Sequence, residues 1–265
     1  MPPFTADHVK AMLPTLNEFS LEPITAAAVA GIVAFAFFVR GVSGFGSATI
    51  AIPMLVHVIS LKLAVPLLLV LDFVSTLATL RIDRTLVDKR EIRWLIPFGV
   101  VGVITGVTLL VQLPPALLLG GLGCVIVYFG IRALINPHGD APVSRLWGIP
   151  AGFVGGLFGG MFGSGAATPY MIYLTHRLHD KRRVRATFTG FAFFDYGFRL
   201  ITFAVTGLLI DAALGVLLLL SLPAMAIGQY AGNRVHHRIS DAQARRIIGT
   251  LLVVGGLSLL AKSLT

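Results

Sequence analysis

The chain has 265 residues, of which 56% are hydrophobic and only 12% are charged. A soluble domain has about 25% charged residues, so this composition excludes a soluble globular protein and favours an integral membrane protein with short loops. The net charge of +9 would suit nucleic-acid binding, but 14 of the 21 lysines and arginines lie in three short segments, at 81–93, 177–185 and 234–246. Basic loops between apolar runs are typical of the cytoplasmic side of a membrane protein, so we expect no nucleic-acid partner.

The N-terminal segment lacks the basic start and apolar core of a cleavable signal peptide. We expect residues 1–22 to form an extramembrane segment and residues 23–265 to form a single transmembrane domain. The one cysteine, Cys124, lies in an apolar run. It excludes an intrachain disulfide and a cysteine-based metal site, and the sequence indicates no metal and no cofactor.

Apolar runs follow one another along the rest of the chain. Most are close to the roughly 20 residues that a spanning helix needs. The first and the fifth are longer: as single helices they would measure roughly 55 Å and 45 Å, against a hydrocarbon core of about 30 Å. Each contains a glycine-rich break, GFGSATIAIP at 44–53 and FGSGAATP at 162–169, which predicts two limbs instead of one helix. The runs cover about 24–60, 63–80, 94–111, 115–135, 146–175, 187–206, 212–233 and 244–262.

An internal repeat relates two halves of the chain, about 23–137 and 146–264. The segment SLPAMAIGQYAG at 221–232 aligns without a gap to LIPFGVVGVITG at 95–106, so that a proline and two glycines coincide. The tripeptide FGS recurs in the two breaks, and Asp72 and Asp195 fall in corresponding helices. Further along the same alignment, Gly123 meets Gly249 and Gly130 meets Gly256.

The charges of equivalent loops indicate how the halves are oriented. The loop at 112–114 is uncharged, whereas its equivalent at 234–246 has four arginines. The loop at 81–93 has five basic residues, whereas its equivalent near 207–211 has only an aspartate. Opposite bias in equivalent loops predicts opposite orientation. We therefore predict an all-α polytopic membrane protein of two inverted repeats, each a glycine-broken re-entrant hairpin plus three transmembrane helices.

The polar residues in the two breaks predict a central site. Irregular backbone at membrane depth is tolerated only where it is buried in protein or lines a wet cavity. Two hairpins entering from opposite sides would meet at their tips, where free N–H groups at half-helix N-termini favour an anion. The hydroxyl side chains of these tips belong to Ser43, Ser47, Ser164 and Thr168.

Ionisable residues inside the apolar runs are functional candidates, because a charge is costly in hydrocarbon. Asp72 and Asp195 are either buried anchors for the hairpin backbone or members of an ion or proton relay. Arg199 follows Asp195 by four residues on one helix face, so it forms either an intrahelical ion pair or a contact with an anionic substrate. Arg40 either reaches a polar cavity, where its planar fork suits an oxyanion, or extends to the membrane surface.

The segments RGVSGFGSATIAIPML at 40–55 and GGLFGGMFGSGAATPYMIYL at 155–174, with paired P-x4-G-x3-G helices, resemble the TauE/SafE family of sulfite-exporter permeases. The resemblance covers about 25–262. It implies a multi-pass protein of a bacterial inner membrane that moves small sulfur-containing anions, such as sulfite or organosulfonates. By position, it also implies substrate-facing tips formed by Gly44, Gly46, Ser47, Gly163, Ser164 and Gly165.

The combined prediction is a secondary transporter that works by alternating access and is driven by a gradient, since no ATP-hydrolysing motif is present. An anion channel, and a membrane-embedded enzyme or accessory protein without transport, remain the alternatives. Asp72 and Asp195 would shape the site or couple it to a proton or another ion. The predicted substrate-binding residues are Arg40, Ser43, Gly44, Gly46, Ser47, Gly163, Ser164, Gly165, Thr168 and Arg199.

Overall fold

A computed structural model describes residues 23–44, 46–79, 84–135, 143–163, 167–235 and 241–264. Within these ranges the chain forms ten α-helices and short 3-10 turns, with no strand. This confirms the predicted all-α architecture, while the expected N-terminal segment lies outside the described residues. The helices are α1 (Pro23–Ser43), α2 (Ser47–Leu55), α3 (Leu61–Thr79), α4 (Lys89–Gln112), α5 (Pro115–Ile135), α6 (Gly148–Phe162), α7 (Ala167–Leu178), α8 (Lys181–Val205), α9 (Ala212–Val235) and α10 (Asp241–Ser263).

Six of the described helices are long and apolar enough to cross a membrane: α1, α3, α4, α5, α9 and α10. Their outward faces expose large apolar side chains, for example Leu117, Leu219 and Val254. Such side chains are costly in water and favourable in lipid. The protein is therefore a multi-pass membrane protein.

This set of six helices differs from the predicted set of spans at two helices: α1 is included and α8 is not. Helix α1, expected to be a hairpin limb, has 21 residues, about 31 Å at the rise of an α-helix, and is long enough to cross alone. Helix α8, expected to be a span, has 25 residues but carries arginines in its first turns and Asp195 and Arg199 further on. These charges make α8 too polar to count among apolar spans, although its length is sufficient.

Both long apolar runs break at their glycines, as the sequence predicts. Between α1 and α2, Gly44 has φ 86° and Gly46 has φ 90°. At the end of α6, Gly163 has φ 63°. These left-handed conformations are open to glycine and strained for most other residues, so the position of each break is fixed by residue type. Ser164 and Gly165, in the second break, lie outside the described residues.

The most extensive helix contacts pair α1 with α9, α4 with α6, and α5 with α10. In the α1–α9 pair, a side chain on Gly228 or Gly232 would overlap the carbonyl group of Ala34 or Phe38, respectively. The two backbones can therefore approach closely only because these positions lack a Cβ. The residue numbers of the contacts rise along both helices in the same direction, so α1 and α9 are parallel.

The α4–α6 pair repeats this arrangement with equivalent residues. A side chain on Gly102 would overlap the carbonyl oxygen of Phe153, and one on Gly106 would overlap that of Leu157. Gly102 and Gly106 align with the two glycines of α9, so the fourth helix of each half packs on the first helix of the other half. Each half thus packs its fourth helix against the other half and not against its own first helix.

The α5–α10 pair joins the last helices of the two halves. A Cβ on Gly123 would lie 2.9 Å from the carbonyl oxygen of Gly256, and a Cβ on Gly130 would lie 3.0 Å from that of Gly249. Here the residue numbers of the contacts rise along α5 and fall along α10, so these two equivalent helices are antiparallel. The helices α3 and α8, which also contact each other, carry the charged residues of the interior.

Candidate functional site

The first charged cluster joins α1, α2 and α3. The guanidinium group of Arg40 donates through Nη1 to Asp72 Oδ1 at 2.6 Å and to Ser47 Oγ at 3.2 Å, and through Nη2 to Thr76 Oγ1 at 3.0 Å. The hydroxyl group of Ser47 also donates to Asp72. Arg40 therefore links three helices in the interior instead of extending to the membrane surface.

Arg40 borders a cavity of about 290 Å³. The side chains of Arg182 and Arg185, in the first turns of α8, line the same cavity and are exposed. They belong to the basic segment 177–185, so the cavity opens on the face that the positive-inside rule assigns to the cytoplasm. The remaining polar lining consists of Thr76, Thr189, Gln229 and Asn233.

The position of Gly44 brings the first helix break to this cavity. A Cβ on Gly44 would lie 3.5 Å from the guanidinium carbon of Arg185. The turn after α1 therefore presents backbone, not a side chain, to the arginine at the cavity mouth. This arrangement places three guanidinium groups around one concave space, which is a favourable environment for an anion.

The second charged cluster lies on α8 alone. Arg199 donates through Nη2 to the carboxylate of Asp195, one turn earlier. The Arg199 side chain is 1% exposed, and its Nε and Nη1 have no hydrogen-bond partner among the described residues. A Cβ on Gly159 of α6 would overlap the guanidinium group. The intrahelical ion pair is therefore formed, and it is enclosed.

Tyr196 lies between the two clusters. Its ring centroid is 5.4 Å from the guanidinium carbon of Arg199, and its hydroxyl group is within electrostatic range of Arg40, Asp72 and Asp195. All four charged side chains consequently belong to one polar interior. Two cations and two anions balance there, which lowers the free energy of placing them inside a membrane protein.

The structure places the other predicted site residues as follows. Gly46 is the residue before α2, and Ser43 donates to the Val39 carbonyl within α1 at 2.8 Å. Gly163 ends α6, and a Cβ there would lie 3.0 Å from Val65 of α3. Thr168 is half-buried in the first turn of α7. Neither Ser43, Gly163 nor Thr168 is among the described residues that line the cavity.

The two breaks were expected to meet, and the described residues do not bring them together. Gly44 lies beside α8, whereas Gly163 lies beside α3. The first limbs α1 and α6 have 21 and 15 residues, about 31 Å and 22 Å at the rise of an α-helix. Helices of this length carry the two breaks well away from the residues where the hairpins begin.

Sequence reasoning missed Thr76, Arg182 and Arg185. The spacing could have identified Thr76, because it follows Asp72 by four residues, as Arg199 follows Asp195. The two arginines were assigned to a basic loop, which explains their side of the membrane but not their orientation towards a cavity. That orientation is visible only in the structure, where residues of α1, α3, α8 and α9 surround one cavity.

A separate polar cluster ties the two halves together near the start of α4. The carboxylate of Glu91, at the start of α4, accepts from Arg145 at 2.9 Å, Arg177 at 3.1 Å and the Tyr173 hydroxyl at 2.5 Å. Its hydrogen bond with Glu91 raises the pKa of Arg145 above the ordinary value, so this arginine stays charged. The cluster holds both ends of the α6–α7 hairpin to α4.

Comparison with known protein families identifies the family of this chain. The family model described as "Sulfite exporter TauE/SafE" matches residues 28–259, which include both breaks, both charged clusters and the cavity. No match was found among curated proteins or among solved structures. The match extends over most of the chain, and we conclude that this protein belongs to the TauE/SafE sulfite exporter family.

Proposed function

We propose that the protein is a secondary transporter that moves a small sulfur-containing anion, such as sulfite or an organosulfonate, across the inner membrane of a bacterium by alternating access. The observation that carries this proposal is the cavity beside Arg40, with Arg182 and Arg185 at its mouth. Its volume of about 290 Å³ lies at the lower end of the range for small-molecule sites, about 300–1,000 Å³. A small polyatomic anion fits such a space.

Arg40 is the residue best placed to recognise the anion. Its planar guanidinium group suits an oxyanion, and Asp72, Ser47 and Thr76 hold it in one orientation. The carboxylate of Asp72 competes with an incoming anion for this cation. Protonation of Asp72 or uptake of a cation would relieve that competition, which is how Asp72 would couple anion movement to a gradient.

The conformational part of the proposal rests on opposed halves within the single domain 23–265. The antiparallel arrangement of α5 and α10, which are equivalent helices, supports inverted repeats, and so does the opposite charge bias of equivalent loops. Two such halves can rock about a common site and expose it to each side in turn. The cavity on the basic face represents the inward-facing arrangement.

Reconstituted liposomes test the proposal. Current and isotope counterflow would be measured for sulfite, thiosulfate, sulfoacetate, taurine, sulfate and acetate, with and without a proton gradient. We expect saturable counterflow for at least one sulfur-containing anion, lost in Arg40→Gln. Arg183→Gln is the matched control, because Arg183 lies in the same basic segment but pairs with Asp88 at 3.5 Å outside the cavity.

The two readouts separate the alternatives. Counterflow without current indicates electroneutral exchange and supports a carrier. Flux that does not saturate and shows no counterflow indicates a channel and contradicts alternating access. Folded protein that moves none of the sulfur-containing anions in either assay contradicts the proposal as a whole.

A further inference from the structure

The exchanged helix contacts define which residues are equivalent in the two halves. A Cβ on Gly41 would lie 2.7 Å from the carbonyl oxygen of Gln229, and one on Gly160 would lie 2.6 Å from that of Val103. Val103 and Gln229 coincide in the gapless alignment of the halves. Gly160 is therefore the counterpart of Gly41, and the neighbouring Gly159 is the counterpart of Arg40.

The helices α3 and α8 are related in the same way through their aspartates. Asp72-Phe73 and Asp195-Tyr196 are both an acid followed by an aromatic residue, and Thr76 and Arg199 follow four residues after the acid. With this register, Arg185 at the mouth of the cytoplasmic cavity corresponds to Lys62. Phe188, which lines that cavity, corresponds to Val65.

The counterparts of the cavity residues form a second set, which is closed in this structure. When Gly160 is aligned with Gly41, Gly163 aligns with Gly44, and a Cβ on Gly163 would touch Val65 at 3.0 Å. Val65 is fully buried, and Val103 is 1% exposed. Lys62, in contrast, is exposed. The second set thus has a basic residue at the surface and a sealed interior.

This second set lies at the opposite end of the helix bundle. The Nζ of Lys62 is 3.4 Å from the carbonyl oxygen of Val111, near the C-terminal end of α4. Arg183, which neighbours the cytoplasmic cavity, pairs with Asp88 at the N-terminal end of α4. Because α4 has 24 residues, about 36 Å separate these ends. The two sets therefore face opposite sides of the membrane.

Arg199 gives the second set a ready anion-binding group. It is 1% exposed, and two of its donor nitrogens, Nε and Nη1, have no partner among the described residues. An unsatisfied buried donor is unfavourable, so an arrangement that supplies an acceptor stabilises the interior. Water or an anion entering between α3 and α6 would supply one.

We propose that the protein has an outer anion vestibule, closed in this structure, with Lys62 at its mouth and Arg199 at its base. It opens by separation of Gly163 from Val65 while the cytoplasmic cavity closes. The ligand is the same class of small oxyanion, approaching from the other side. This inference rests on the proposed transport function, but its geometry can be tested without measuring transport.

Thiol labelling tests the vestibule directly. In a Cys124→Ala background, Val65→Cys is buried in this structure and should react with a membrane-impermeant maleimide added to the face opposite Arg185. Leu67→Cys is the matched control, because Leu67 is equally buried on the same helix but its counterpart does not line the cavity. Labelling of Val65→Cys well above Leu67→Cys supports the vestibule, and equal protection of both overturns it.

A second arm compares the two mouth residues with sulfite as the probe. Lys62→Gln should raise the half-saturating sulfite concentration about tenfold for uptake from its own side and leave the other side unchanged, since loss of a steering charge acts locally. Arg185→Gln should do the reverse. A Lys62→Gln effect equal on both sides, or none, overturns the inference.

The two arms also separate this inference from the proposed function. Transport by a protein whose Val65→Cys never reacts from the outer face refutes the vestibule and leaves the transporter standing. Selective labelling of Val65→Cys in a protein that moves no anion supports the vestibule and refutes the transport proposal.

Discussion

The two halves hold the same pair of charges in different ways. In the first half the guanidinium group comes from α1 and reaches Asp72 on α3, with Thr76 as a further acceptor. When the halves are aligned on Asp72 with Asp195 and on Gly41 with Gly160, Arg199 aligns with Thr76 and Gly159 aligns with Arg40. Arg199 pairs with Asp195 on its own helix. One ion pair links two helices beside a cavity, and the other lies within one helix.

This difference has a mechanical consequence. The Arg40–Asp72 pair must change when α1 moves relative to α3, so it can respond to a rearrangement of the hairpin. The Asp195–Arg199 pair moves as a unit with α8, because both residues belong to that helix. The same kind of ion pair can therefore form a changing contact between helices in one half and a rigid contact within one helix in the other.

The largest effect is expected when the second half is given the first half's arrangement, with the cation on the first helix of the half. Gly159→Arg alone should be unable to fold, because its side chain would overlap the Arg199 guanidinium group; we expect a loss of more than about 4 kcal/mol. Gly159→Arg with Arg199→Thr transfers the cation from α8 to α6. The double variant should return to the membrane and recover most of the thermal stability.

Thermal unfolding in detergent and the amount of membrane-inserted protein check this prediction. Gly159→Ala with Arg199→Thr is the control, because it makes room without replacing the cation. A double variant Gly159→Arg/Arg199→Thr no more stable than that control would show that the two halves are not interchangeable at this position.

The second prediction compares removal of each cation. Arg199→Gln leaves the enclosed Asp195 carboxylate without its partner, a change that typically destabilises by about 3–5 kcal/mol. It should abolish transport while the protein remains in the membrane. Arg40→Gln should be less destabilising, since the Arg40 side chain is 11% exposed and borders the cavity, so that water can solvate Asp72.

Unfolding midpoints of Arg199→Gln and Arg40→Gln, measured side by side, show which variant loses more stability. Adding Asp195→Asn to Arg199→Gln should recover stability, because no unpaired charge is then buried. Equal midpoints for the two single variants would contradict the difference in enclosure. Transport at normal affinity in Arg199→Gln would leave Arg199 with an ion-pair role alone.

These differences between the halves could be predicted only in part from the sequence. The helix breaks were predictable because Gly44, Gly46 and Gly163 adopt conformations that depend on local residue type. The Asp195–Arg199 pair was predictable because a spacing of four residues fixes both side chains on one face of a helix. Local spacing determines features of this kind.

The Arg40–Asp72 pair was not predictable in the same way. The two residues are 32 positions apart, and they meet only because α1 and α3 both pack around the first break. The orientation of Arg182 and Arg185 towards a cavity depends likewise on residues of α1, α3, α8 and α9 surrounding one space. Composition assigned these arginines to a membrane face but could not indicate what they surround.

The third prediction concerns the geometry of the Arg40 guanidinium group as opposed to its charge. Arg40→Lys keeps the charge but replaces a planar fork with a single ammonium group, which cannot reach Asp72, Ser47 and Thr76 in the same geometry. We expect the protein to fold normally and the rate of anion counterflow to fall about tenfold, or 1.4 kcal/mol.

Counterflow measured alongside the unfolding midpoint separates function from stability. Arg183→Lys, in the basic segment but outside the cavity, should change neither. A normal counterflow rate in Arg40→Lys would mean that charge alone recognises the anion and that the orientation of the guanidinium group is unimportant.

The smallest expected effects concern two hydroxyl groups that the sequence suggested as ligands, one in each half. The Ser43 hydroxyl group donates to the Val39 carbonyl of its own helix, and Ser43 does not line the cavity. Thr168 is half-buried outside the cavity lining. Because neither hydroxyl group lines the cavity, Ser43→Ala and Thr168→Ala should each leave anion counterflow within about twofold. Ser47→Ala is the positive control, because Ser47 contacts both Asp72 and Arg40. A loss of counterflow in Thr168→Ala equal to that in Ser47→Ala would place an anion contact in the second half and reverse the asymmetry between the two charged clusters.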